Sequence, residues 1–157
     1  ATFIGIFFVS LYFFLYFKNL NMNNDHILNI AHKIENHYAD SKYETFAMGD
    51  MAGKVSYLLD KKLIQLEGLV GGKKVLRKIQ NQENLCKLFK EFNVDIYLTN
   101  KINKVEELYY IEEPSQVSTN VKKMTGKLII KPEITFKSAN LNVYAFNLKD
   151  NKFFFKN

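Results

Sequence analysis

Gly49-Asp50-Met51-Ala52-Gly53-Lys54-Val55-Ser56-Tyr57-Leu58-Leu59-Asp60-Lys61-Lys62-Leu63-Ile64-Gln65-Leu66-Glu67-Gly68-Leu69-Val70 is the stretch on which the reading of this chain turns. An apolar run, Tyr43 to Met48, leads into it. Residues Met51 to Leu59 follow helical spacing, and Lys61-Lys62 end that pattern. A second apolar run, Lys62 to Leu66, stops at Glu67-Gly68. Short apolar runs bounded by turn residues read as buried strands, and a helical pattern between two of them reads as a parallel strand–helix–strand unit. An acid beside a glycine closes each strand: Asp50 follows Gly49, and Glu67 precedes Gly68. Asp50 is placed to cap the helix and Glu67 to shape a loop. Both acids also stand at carboxyl ends of parallel strands, where ligands of such sheets bind. There they can accept hydrogen bonds from sugar hydroxyls.

Outward from this unit, Gly71-Gly72 and the basic stretch to Gln82 read as a loop around one helical turn at Lys74–Ile79. Asn84 to Phe92 is a predicted helix with Leu85, Leu88, Phe89 and Phe92 on one face, and Asp95 to Thr99 is a third strand. Lys104 to Leu108 reads as a helical turn, and Tyr109 to Glu113 as a strand or exposed arm ended by Pro114. The runs Gly126–Lys131, Leu141–Leu148 and Lys152–Phe155 look like antiparallel strands, with Asp150-Asn151 as a hairpin turn. Upstream, Asn24 or Asp25 caps a helix from His26 whose Ile27, Ile30, Ala31, Ile34 and Tyr38 share a face. The expected fold is α/β. It is a small Rossmann-like β-α-β-α-β sheet with added antiparallel C-terminal strands, preceded by one transmembrane helix.

That membrane helix is read from Ala1 to Phe17, which carries no charge. Such a run spans roughly 25 Å, close to the ~30 Å hydrocarbon core. Tyr12 and Tyr16 suit the aromatic belt, and Lys18 suits a snorkelling anchor. The organisation expected is therefore a membrane helix over 1–18, a linker over 19–25 and a soluble α/β domain over 26–157. The chain does not begin with Met, which reads as the C-terminal piece of a longer protein. Residues Asn19 to Ala31 lack Lys and Arg, which favours an extracytoplasmic face for the domain.

Composition narrows the function. Of the 157 residues 47% are hydrophobic, enough for a packed core. The net charge is +6, yet Arg77 is the only arginine, which argues against a dedicated nucleic-acid surface. The lone Cys86 allows neither an internal disulfide nor a cysteine-based metal site. His26, His32 and His37 lack the i, i+4 spacing of paired metal ligands. Gly49 to Gly53 is not a dinucleotide fingerprint, and Gly71-Gly72-Lys73-Lys74 lacks the Walker spacing, so no cofactor is indicated. Glu106-Glu107 and Glu112-Glu113 read as surface charge, and neither Ser56 nor Cys86 has a base beside it. The basic residues Lys61, Lys62, Lys73, Lys74, Arg77 and Lys78 suit either solvation or an anionic headgroup.

Taken as a set, Asp50, Gly53 and Tyr57, then Lys61-Lys62, then Gln65-Leu66-Glu67-Gly68-Leu69-Val70 resemble a known pattern. It is that of the C-terminal soluble domain of GT-C superfamily membrane glycosyltransferases, which use polyprenyl-phosphate sugars. Phe89-Lys90-Glu91-Phe92-Asn93-Val94-Asp95-Ile96-Tyr97-Leu98 matches the family's usual continuation, so the likeness covers roughly Tyr43 to Thr99. The chain departs from the pattern at Glu67, where Asp is common, and at Gly71, where Asn is common. The resemblance implies a glycosyltransferase whose catalytic acids lie in an early loop outside this chain. It implies that Asp50, Gly53, Tyr57, Glu67 and Gly68 assist binding of an acceptor (glycan, lipid or protein) or of the lipid-linked sugar, without catalysing transfer alone. It also implies a domain at the extracytoplasmic face of the cell membrane, against the lipid bilayer. Two other readings stand beside it: a single-pass membrane-anchored, non-enzymatic binding or interaction module, and a small nucleotide-binding α/β enzyme.

Overall fold

The computed structural model describes residues 2–67, 72–114 and 122–150, with the side chains of these except 2–9 and 16–25. In chain order the elements are α1 (Thr2–Tyr38), β1 (Thr45–Met48), α2 (Ala52–Leu58), β2 (Lys62–Gln65), α3 (Gly72–Gln80) and α4 (Leu85–Glu91). There follow β3 (Ile96–Thr99), β4 (Asn103–Val105), β5 (Leu108–Glu113), β6 (Met124–Leu128), β7 (Ile134–Ser138) and β8 (Leu141–Asn147). The protein is α/β, built on a mixed five-stranded sheet of order β2-β1-β3-β8-β7 and a second sheet of order β4-β5-β6. In the first sheet β1 pairs parallel with β2 and β3, while β8 runs antiparallel to β3 and β7.

Strand alternation sends neighbouring side chains to opposite faces of the first sheet. Phe46, Met48, Ile96, Leu98, Val143 and Ala145 face Ile30, Ile34 and Tyr38 of α1 and Ala52 and Val55 of α2. Ala47, Ile64, Tyr97 and Phe146 face α3, α4 and the second sheet. Both faces are covered, which is why β1 and β3 are nearly continuous apolar runs. At the amino ends of the strands the Asp95 carboxylate accepts the backbone N–H groups of Glu44 (2.7 Å) and Thr45 (3.2 Å). The Leu148 amide donates to the Asp95 carbonyl, so one residue ties β1, β3 and the end of β8.

Several expectations need correction. The segment 19–25 is helical backbone within α1, not a break. Once turns exist on both sides, propagating through weak formers such as asparagine costs less than nucleating twice. The stretch after Gly71 holds a full helix, α3, because Val75 and Ile79 bury one side while Lys74 and Lys78 pair with Glu91 of α4 at 2.5 and 2.8 Å. The turn expected over 104–108 is a β-hairpin, β4 to β5, around Glu106-Glu107. β7 was absent from the expected strands, since only Phe136 of its residues is fully buried. It forms the hairpin with β8 through Ala139-Asn140. The expected Asp150-Asn151 turn and the run Lys152–Phe155 reach outside the described residues. Among the described residues no helix is long and apolar enough to cross a membrane. Of the segment 1–18, only the side chains of 10–15 are among them.

Candidate functional site

The carboxyl ends of β1 and β2 bring the singled-out acids together. The Leu66 amide donates to the Met48 carbonyl at 2.8 Å, which carries the pairing one residue past β2 and sets Glu67 beside the turn after β1. That turn is sharp: Met51 has φ 70°, a left-handed conformation unusual for a side chain larger than glycine. The N-cap position of α2 is Met51, which makes no side-chain capping bond, and Asp50 stands one residue before it. Glu67 accepts a hydrogen bond from the Met51 backbone amide, which favours its ionised form. Burial, and then the charge of Asp50, hold the Glu67 carboxyl above the usual carboxylate range. Two acids from successive strand ends thus share one electrostatic environment, which suits recognition of hydroxyl hydrogen-bond donors.

After Asp50, α2 presents Gly53 and Tyr57, one helical turn apart and therefore neighbours on its surface. Tyr57 is 88% exposed. Gly53 is exposed as well, and a Cβ built there would meet no atom within 4 Å. Neither residue is explained by packing within the described chain. Gly68 lies outside the described residues.

Sequence reasoning misplaced one acid. Glu113 is buried, 1% exposed, and is not a surface charge; its carboxylate accepts a 2.8 Å hydrogen bond from the Tyr97 hydroxyl. Tyr97 is itself buried in β3, and burial followed by the Glu113 charge pushes its hydroxyl well above the ordinary value. Gly49 lies against this carboxylate: an added Cβ would come 2.8 Å from Glu113 Oε1 and closer still to Oε2. The signal was in the sequence, because a strand over 108–113 alternates and puts Tyr109, Ile111 and Glu113 on one face. Glu112, on the other face, pairs with Lys123 at 3.0 Å and Lys101 at 3.3 Å.

The remaining candidates disperse. Ser56 donates to the Gly53 carbonyl at 2.9 Å. Cys86 is buried, and burial pushes its thiol up to about 11. His26 meets Ser138 at 3.4 Å, His37 packs edge-on against Tyr38 and Phe136, and His32 is exposed. Among the described residues no group of three His, Cys, Asp or Glu side chains is arranged to hold a metal ion. The basic patch is interrupted: Lys74 and Lys78 pair with Glu91, Lys78 also with Glu83, and Lys61 with Glu44.

No protein-family model matches the chain, and neither does any curated protein or solved structure.

Proposed function

We propose that this chain is the C-terminal portion of a GT-C-type membrane glycosyltransferase. In this reading a membrane helix over 1–18 carries the domain to the extracytoplasmic face of the cell membrane, where it assists recognition of the acceptor or of the polyprenyl-phosphate-linked sugar. The catalytic acids would come from elsewhere in the parent enzyme. The parallel strands β2-β1-β3 are read as its small Rossmann-like unit. The observation that carries the reading is the pair Gly53 and Tyr57, which stand exposed on α2, the helix that follows Asp50, without a packing role. A small residue one helical turn from a bare aromatic ring fits a surface that another part of the enzyme or its substrate covers.

The helix α1 supports the membrane part of the reading. Leu11, Tyr12, Phe13, Phe14 and Leu15 are 40–67% exposed. Five consecutive helical positions, about 100° apart, go around the whole helix, so the domain covers none of its sides there. An all-round apolar surface is suited to lipid.

The test uses the full-length parent polypeptide, reconstituted in vesicles with a polyprenyl-phosphate sugar. Tyr57→Ala and Glu67→Gln are expected to lower transfer about tenfold or more, the loss of one or two good contacts. Their circular dichroism should stay that of the parent. Unchanged transfer in both variants would overturn the reading. So would a parent reading frame that holds no further membrane spans upstream.

A further inference from the structure

The second sheet carries a separate cleft on its outer face. It has a volume of about 630 Å³ and is lined by Asn84, Lys101, Asn103, Tyr110, Glu112 and Lys127, with Thr125 and the floor residues Ile102 and Cys86. This is within the ~300–1,000 Å³ typical of ligand clefts. Register fixes its layout: Asn103, Tyr110 and Lys127 form one row across β4, β5 and β6, and Glu112 and Thr125 form the next. Rows on one face lie ~7 Å apart and strands ~4.8 Å apart, so the platform has the breadth of a small ring system. An aromatic ring sits at its centre, with hydrogen-bonding side chains around it.

Each polar group offers a defined role. The Asn84 Oδ1 atom accepts the amides of Cys86 (2.9 Å) and Lys87 (3.3 Å), so Asn84 has its Nδ2 donor to give. Glu112, held by Lys101 and Lys123, is an ionised acceptor. Lys127 lies over the Tyr110 ring, 5.4 Å from its centroid, and pairs with no carboxylate among the described residues. The lining holds two lysines against one glutamate, a surplus of positive charge. Cys86 and Gly126 close the floor: a Cβ on Gly126 would meet the Cys86 Sγ at 2.8 Å, so nothing bulkier than glycine fits without displacing it.

We propose that this cleft binds an acidic sugar, a hexuronate or a phosphorylated hexose. Its ring lies against Tyr110, its anionic group meets Lys127, and its hydroxyls donate to Glu112 and accept from Asn84 and Asn103. The mixture of one carboxylate with several donors favours a ligand that carries hydroxyls as well as a charge over a bare anion, since Glu112 has acceptor capacity beyond its two lysines. The surplus lysine charge in turn favours an acidic sugar over a neutral one. The proposal does not rest on the transferase reading, since none of its residues is shared with Asp50, Gly53, Tyr57 or Glu67.

The experiment is amide NMR titration of the full chain in a detergent without sugar headgroups. The probes are trigalacturonate, glucose 6-phosphate, maltotriose and inorganic phosphate. At least one acidic sugar should shift the amides of Tyr110, Glu112, Thr125 and Lys127 saturably, with maltotriose and phosphate weaker by about tenfold or more. Lys127→Gln and Tyr110→Leu should each weaken that binding about tenfold, the worth of a charge-assisted contact, without altering the circular dichroism. Tyr57→Ala should leave it unchanged. The absence of saturable shifts with both acidic sugars would overturn the proposal. Shifts mapping to other residues, or equal binding of maltotriose or phosphate, would do the same.

Discussion

Gly49→Ala tests the contact that joins the two sheets. Gly49 is not at a left-handed φ, so its role is one of space. An alanine methyl would stand 2.5 Å from Glu113 Cδ and 2.8 Å from Oε1, distances that real Cβ atoms do not reach. Glu113 is 1% exposed and Tyr97 fully buried, so the carboxylate can move away only by giving up the Tyr97 hydroxyl. Losing a buried hydrogen bond to a charged group costs about 1.5–3 kcal/mol, and forcing an extra methyl into a packed site about 1–3 kcal/mol. The expected loss is therefore about 2.5–6 kcal/mol, a large part of a domain's stability. Urea unfolding of the chain, followed by circular dichroism in detergent, measures it. Glu113→Ala removes the obstructing carboxylate, so in that background Gly49→Ala should cost less than about 1 kcal/mol. Equal costs in the two backgrounds would refute the steric argument.

Other expectations are simpler. The Glu67 carboxyl is raised above its ordinary value of 4.5, so the folded chain holds that proton more tightly than the unfolded chain does. The group's contribution to stability is therefore greatest below about pH 4.5 and falls as pH rises through the folded value. Urea midpoints of wild type and Glu67→Gln at about pH 4 and pH 7 should show the variant gaining relative to wild type at the higher pH. Asn84→Ala removes the α4 cap, whose Oδ1 accepts two amides, and should cost about 1 kcal/mol in the same unfolding assay. With its thiol buried and pushed up to about 11, Cys86 should resist iodoacetamide at neutral pH and react only once urea unfolds the chain.

How far the fold was legible depends on where each signal sits. Thr45–Met48 and Ile96–Thr99 were read within a residue or two, because both-face burial writes itself as apolar runs, and Lys62–Gln65 was bounded by the Lys61-Lys62 and Glu67-Gly68 turn signals. Met51 to Leu59 and Asn84 to Phe92 carried period and turn signals at both ends, and α2 and α4 lie inside them. The losses came where burial is one-sided. α3 hides only Val75 and Ile79 behind its lysines, and edge strand β7 buries chiefly Phe136. At the site, the proximity of Asp50 and Glu67 was implied by parallel pairing, but the left-handed Met51 that redirects Glu67 was not. A positive φ at methionine leaves no mark in sequence, since nothing but the tertiary context imposes it.

The buried acid bears on the choice among functions. In a sheet of order β2-β1-β3 the connections leave β1 in opposite directions, and the crevice at the carboxyl ends of β1 and β3 is where such folds take nucleotides. Here Gly49 closes β1 and Tyr97 lies in β3, and the chain's own Glu113 reaches both. A carboxylate delivered by the second sheet fills the space that a phosphate would need and opposes its charge. Gly49 in this chain makes room for an internal side chain, whereas a nucleotide-binding glycine makes room for a ligand. The wild-type chain should therefore show no thermal stabilisation by saturating ATP or NAD. A rise in melting temperature with saturating ATP or NAD in wild type would instead restore the nucleotide-binding reading. The exposed pair Gly53 and Tyr57, outside this plugged crevice, is the part of the β1–α2 unit left for another molecule to meet.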